Sequence, residues 1–190
     1  MDALTHAVEA YIGRSTTKRT RRLAEEATAL IFQNIGRAYE NGQDGKAREA
    51  MLIASYRAGY AFSVSYVGYV HALAHALGGR YGIPHGRACA ILMPAVLEAY
   101  GKSAHKKLHR LAVAAGVAAK GERHEAGAQK FIEAVRRLAA KYNIETEVLD
   151  PGIDSPLGST ESAGFRLAEK AVHAVFPDVK TAPYLMTGAT

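Results

Sequence analysis

Two pairs of residues in this chain are spaced so that a helix would align side chains able to bind metal or move protons. Asp2 and His6 lie four apart in MDALTHAVEAY, and His71 and His75 lie four apart in YVGYVHALAHALGGRYGIPHGRACAILMP, residues 66–94. Residues four apart share one helical face, one turn from each other. Gly78-Gly79 reads as the end of the second helix, since glycine readily takes the left-handed conformation found just past a C-cap. Pro84 keeps the next loop from becoming helix early, and His85 sits at its far end, returning toward His71 and His75. Imidazole and carboxylate both bind divalent transition metals, and imidazole also titrates near neutral pH. A helix, a tight reversal and a returning histidine thus outline a metal or catalytic pocket. Each piece alone has a plainer reading, an ion-paired surface pair or histidines bonded to carbonyls; the combination is more specific than its parts.

The elements that must position these residues are helical throughout. Residues 1–13 are apolar at Leu4, Ala7, Val8, Tyr11 and Ile12, with Gly13 as a stop. Residues 21–39 repeat Leu23, Ala27, Leu30, Ile31 and Ile35 at a helical period. Asn41 to Gly45 reads as a turn, and helix resumes over 46–60. Gly59 and Gly68 fall in a run of small residues over 58–70; glycine costs helix stability there, which points to packing or function. Pro94 fits an early helical position before AVLEAY. Further helices are expected over 103–115, 122–142 and 160–175, with a loop over 143–159 and an irregular tail over 177–190. His105, His109 and His124 lie among lysines and arginines and read as exposed. No convincing strand or internal repeat is visible. The fold class is therefore all-α: about seven to nine helices in one domain, with metal-site helices in 1–100 and supporting helices in 101–176.

Bulk properties agree. At 190 residues, with 48% hydrophobic and 22% charged residues, the chain can build one packed core. No apolar run approaches the roughly 18 residues a membrane helix needs, and no basic n-region precedes an apolar stretch as in a secretory signal. The lone cysteine, Cys89, excludes an intramolecular disulfide and agrees with a reducing compartment. The expectation is a cytoplasmic protein without a membrane partner. Net charge is +6, but the basic clusters at 18–22, 106–107 and 136–137 lack an aromatic stacking pattern or a nucleic-acid motif, so no nucleic acid is expected.

The pattern D-x-x-x-H followed by H-A-L-A-H-x-L-G-G-x-Y-x-I-P-H-G resembles the iron-containing (group III) alcohol dehydrogenase family, related in fold to dehydroquinate synthase and glycerol dehydrogenase. The likeness runs from Met1 to about Tyr142, is densest over 56–100 and is faint after Asn143. It implies the helical C-terminal domain of such an enzyme. It implies metal ligands at Asp2, His6, His71 and His85, with His75 as a catalytic and cofactor-facing histidine near substrate and nicotinamide. Fe(II) and Zn(II) both suit that donor set. The expected activity is hydride exchange between an alcohol and NAD(P), the metal acting as Lewis acid on an alcohol or carbonyl substrate; a homo-oligomer is left open.

Family members carry a nucleotide-binding domain upstream, and no glycine-rich phosphate turn after a strand is found in this chain. The expectation is that this domain is absent here and that the chain alone is inactive. Asp2 and His6 would then lie on a fraying end, leaving the metal site weak. Two other readings compete: a helical module that has kept metal binding or an interaction role without turnover, and a basic nucleic-acid binder supported by charge only.

Overall fold

A computed structural model of the chain describes residues 1–141, and these form seven helices with no strand among them: α1 (Asp2–Ile12), α2 (Lys18–Glu40), α3 (Gly45–Ser65), α4 (Tyr69–Tyr81), α5 (His85–Ala99), α6 (Lys102–Ala114) and α7 (His124–Lys141). The expected helix over 160–175, the loop over 143–159 and the irregular tail lie outside the described residues. None of the described helices is long and apolar enough to cross a membrane.

The bundle is built around α1. Leu4, Thr5, Ala7, Val8, Glu9, Ala10 and Tyr11 are all buried, so this helix is hidden on most of its surface, its polar stripe included. It packs against α2, α3, α4, α5 and α6. The expectation is of a fraying end; in the structure α1 as a whole is enclosed by these five helices. At the other end of α1, Lys107 Nζ donates to the carbonyls of Ile12 (2.7 Å) and Gly13 (3.0 Å), so a cation caps the negative end of the helix dipole.

The remaining helices are set by local chemistry. Thr17 and Thr20 form a reciprocal capping box that starts α2 three residues before the expected Arg21. Between α2 and α3, Asp44 accepts from the Ala47 amide at 3.0 Å and from two nitrogens of Arg37 at 2.7 and 3.0 Å, tying the end of one helix to the start of the next. The inner face of α3 is a stripe of Ala47, Ala54, Ala58, Ala61 and Ser65; side chains this small let it lie close against α1 and α2. Apolar residues of α6 and α7, led by Leu108, Leu111, Phe131 and Ile132, close the core from the far side.

Several local expectations fail. Gly78-Gly79 does not end α4, which runs to Tyr81 and stops at Gly82 in the left-handed region, φ 65°. His85 is the first residue of α5 rather than a loop residue, and Pro94 lies inside that helix. His109 is buried, at 3% exposure. Its charged neighbours on α6 project from other faces, while His109 packs against α7: a Cβ added at Gly127 would fall 2.1 Å from its ring. Gly59, read as serving packing or function, has open space around its Cβ position, so close packing does not require it.

The two glycines give opposite expectations for one substitution. Gly59→Ala should gain up to about 1 kcal/mol from helix propensity. Gly127→Ala makes the same gain but collides with a ring pinned by His124 (2.9 Å) and the Ala119 carbonyl (2.9 Å), and overpacking of that kind costs about 1–3 kcal/mol. Urea midpoints of the two variants should therefore move in opposite directions.

Candidate metal centre

The residues singled out in sequence come from three helices. Asp2 and His6 sit on the first turns of α1, His71 and His75 on α4, and His85 at the start of α5. Packing of α4 against both α1 and α5 brings them together. Asp2 Oδ1 lies 3.3 Å from His85 Nε2 and 3.6 Å from His71 Nε2. The His71 and His85 ring centroids are 5.3 Å apart, and those of His75 and His85 are 5.0 Å apart.

His6 is placed differently. Its Nδ1 is 3.5 Å from the other Asp2 oxygen, Oδ2, and its ring is stacked between Phe62 (4.0 Å between centroids) and His71 (4.3 Å). The donor atoms that lie within 4.8 Å of one another belong to Asp2, His71, His85 and Cys89, with His6 and His75 beside that set.

Two residues that sequence reasoning missed complete the picture. Cys89 follows His85 by one helical turn, so its Sγ lies 3.6 Å from His85 Nε2. Glu9 is the third acidic or imidazole residue on one face of α1, after Asp2 and His6, and it is 2% exposed. Its carboxylate accepts from the amides of Gly68 (2.8 Å), Val70 (2.7 Å) and His71 (3.4 Å). It thereby caps α4, which has no side-chain cap of its own, by placing an anion at the positive end of a helix. It also pairs with His71 Nδ1 at 2.6 Å. That contact aims Nε2 of the same ring at Asp2, the arrangement by which a carboxylate orients a metal-binding imidazole.

The α3–α4 turn is shaped to allow this. A Cβ at Gly68 would lie 2.8 Å from a Glu9 oxygen and 3.3 Å from the Tyr100 hydroxyl, so no other residue fits there without moving the carboxylate. Tyr66, just before it, has φ 64° and ψ 179°, a region nearly confined to glycine and worth about 1–3 kcal/mol of strain.

The electrostatics favour positive charge at the centre. The interaction with His71, foremost, holds the Asp2 carboxyl down at about 2 against the upward push of burial. Burial pushes His71 downward, but the Glu9 carboxylate bonded to one ring nitrogen and the Asp2 carboxylate close to the other outweigh it and raise the imidazole to about 9. For Glu9, burial pushes upward and is overcome by His71 and the two amides, leaving its pKa below the usual range. Burial, foremost, drops His6 to about 4 and also lowers His75, with His85 and His71 adding to the effect on His75. Burial and then Asp2 push the Cys89 thiol up to about 12.

The fit to a divalent ion rests on two atoms. Asp2 Oδ1 and His71 Nε2 are buried and have no hydrogen-bond partner, although an orphaned buried polar atom costs about 1–3 kcal/mol. They face each other across 3.6 Å, too far for a hydrogen bond. A cation shared between them satisfies both, and carboxylate, imidazole and thiolate are all ligands for divalent transition metals.

The sequence model of the Fe-containing alcohol dehydrogenase family, C-terminal, matches residues 1–181. The match thus extends past Tyr142, where the visible likeness fades. The chain is 41% identical over 153 residues to 1,3-propanediol dehydrogenase of Citrobacter freundii, covering 80% of this chain and 40% of that protein. It is 37% identical over 175 residues to alcohol dehydrogenase 4 of Saccharomyces cerevisiae, covering 91% and 43%. A crystal structure of 1,3-propanediol oxidoreductase superposes with a TM-score of 0.74 at 40% identity, over 78% of this chain and 39% of that one. An alcohol dehydrogenase from Oenococcus oeni gives 0.74 at 34% identity, over 78% and 39%. The chain belongs to the iron-containing alcohol dehydrogenase family. It spans about 40% of the length of the curated relatives it matches.

Glu9→Gln tests the role of the capping carboxylate. The amide keeps one acceptor for the α4 amides but loses the charge that steadies His71. The variant should remain helical by circular dichroism and bind Zn(II) about 10–100-fold more weakly by calorimetric titration, the usual cost of losing such a partner.

Proposed function

We propose that this chain is the metal-holding half of an NAD(P)-dependent alcohol dehydrogenase, interconverting an alcohol with an aldehyde or ketone. The observation that carries this reading is the pair of buried, unpartnered donor atoms on Asp2 and His71, converging with His85 in a chain of this family. Asp2, His71 and His85 would hold the ion, with His6 alongside them; iron and zinc both suit such donors. When bound, a divalent ion supplies Lewis acidity toward an alcohol or carbonyl oxygen. The relatives' names support the substrate class and the cofactor: 1,3-propanediol and alcohol dehydrogenases, and an NAD-dependent methanol dehydrogenase of Bacillus methanolicus at 34% identity.

Within this reading the protein's own groups divide the work. Glu9 fixes the His71 ring, and the hydrophobic packing of α1 fixes Asp2. His75 stands one turn from His71 and 5.0 Å, ring to ring, from His85. From there its imidazole can take up the hydroxyl proton of an alcohol or return one to a carbonyl product. The nicotinamide is to be held mainly outside the described residues, which contain no strand leading into a glycine-rich turn.

The test is a chimera in which residues 1–190 are joined to the nucleotide-binding half of the Citrobacter freundii relative. NAD(P)-linked oxidation of primary alcohols and 1,3-propanediol should be measurable. His71→Ala should abolish both metal content and turnover. His75→Ala should leave metal content intact while lowering kcat by about 10²–10⁴-fold, the usual worth of general acid–base help. A chimera that holds the ion without any turnover would instead favour a metal-binding module that has lost the reaction.

A further inference from the structure

The end of α1 remote from Asp2 opens on a cavity of about 630 Å³, where that helix end meets the α3–α4 turn and the α5–α6 junction; Arg14, Tyr69, Tyr100, Ser103 and Lys107 are among its lining residues. The volume falls in the range of small-molecule sites. The length of α1 separates this end from Asp2 by about 16 Å at the helical rise per residue. Glu9 contributes to the wall between, but it is 2% exposed and both of its oxygens already accept from Gly68, Val70 and His71. We propose that this cavity binds a small organic anion, a phosphate or carboxylate carried on a flat ring. The inference is independent of the metal-centre reading.

Charge gives the first half of the argument. Lys107 Nζ uses two of its three donors on the carbonyls of Ile12 (2.7 Å) and Gly13 (3.0 Å), which leaves one N–H for an occupant. Burial and then repulsion from Arg21 push the lysine pKa down, so the ammonium gains from an anion brought to it. Arg14, also on the cavity wall, is exposed. Among the described residues neither Arg14, Arg21 nor Lys107 pairs with a carboxylate. Two cations therefore line the space and a third presses on one of them, with no counter-charge in reach.

The tyrosines give the second half. The rings of Tyr69 and Tyr100 lie 6.1 Å apart, tilted by 43°, and Tyr69 is 68% exposed, so its ring is open to a stacking partner. The Tyr69 amide donates to the Tyr100 hydroxyl, which leaves that hydroxyl's own proton as a further donor. A bare ion would fill little of the volume, and an uncharged ring would leave the cations unanswered. A ring bearing an anionic group meets both.

Calorimetric titration of the 190-residue chain with AMP, adenosine, benzoate, benzamide and inorganic phosphate tests this. AMP or benzoate should bind with a Kd below about 1 mM, and at least about 10-fold more tightly than its uncharged counterpart or phosphate. Which of the two binds identifies the anionic group. Arg14→Gln and Tyr69→Ala should each weaken that binding about 10-fold, the order expected for a charge-assisted hydrogen bond and for a stacked ring, while leaving Zn(II) binding unchanged. If one variant fails to fold, the other decides. Phosphate binding as tightly as AMP would mean an adventitious ion only and would overturn the proposal. So would binding that neither variant weakens, or a chain that takes up neither AMP nor benzoate; the metal centre would stand in each case.

Discussion

The arrangement depends on one buried carboxylate. Glu9 lies in the core, where an unpaired charge would be too costly to keep, and its carboxylate is stabilised by donors on both oxygens. Three backbone amides at the start of α4 and one imidazole nitrogen surround it. The same contacts do three things at once: they finish a helix that has no cap of its own, dock α4 on α1, and turn the His71 ring toward Asp2. Gly68 and the strained Tyr66 follow from this requirement, since the chain must bring its amides up to the carboxylate with no side chain between them. The strain of the turn is offset where the bonds to Glu9 are strongest.

Around that contact α1 serves as the axis of the bundle. Its apolar positions point in all directions because five helices surround it, and its polar residues are confined to one stripe: Asp2, His6 and Glu9. Burial in α1 therefore fixes the centre from one side, while the α4–α5 pair presents His71, His75, His85 and Cys89 from the other. The alanine stripe of α3 keeps that helix close to α1 and α2, and its Phe62 stacks on His6 beside the imidazoles.

The helical architecture was legible in the sequence because apolar residues recur at a helical period in nearly every segment, and the four-residue spacings of Asp2–His6 and His71–His75 are visible to the eye. What was not legible depends on distant partners. Glu9 reads as one more acid on a helix until the amides near residue 68 are known to sit against it. Cys89 was hidden by the reading of His85 as a loop residue; once His85 begins a helix, the thiol falls one turn away on the same face. Gly78-Gly79 looked like a stop, but the left-handed turn falls at Gly82, and Gly78 instead runs close to the Ile83 carbonyl, where an added Cβ would lie 3.4 Å away. His109 was judged by the charge of its sequence neighbours, which on a helix point elsewhere, rather than by the glycine on α7 that leaves room for its ring.

The central position of α1 also has a consequence for how the chain acquires its structure. Its binding partners are far along the sequence: Glu9 meets residues 59 to 62 positions away, and the carbonyls of Ile12 and Gly13 are capped by Lys107, 94 to 95 positions away. Loops of that length close late, because their entropy must be overcome before the contacts form. α2 and α3 can cover much of α1 as soon as they form, whereas its contacts through Glu9 and its carbonyl end wait for α4 and α6. The centre thus waits for α4 and α5 to dock on α1, across a chain separation that its short-range helices do not face.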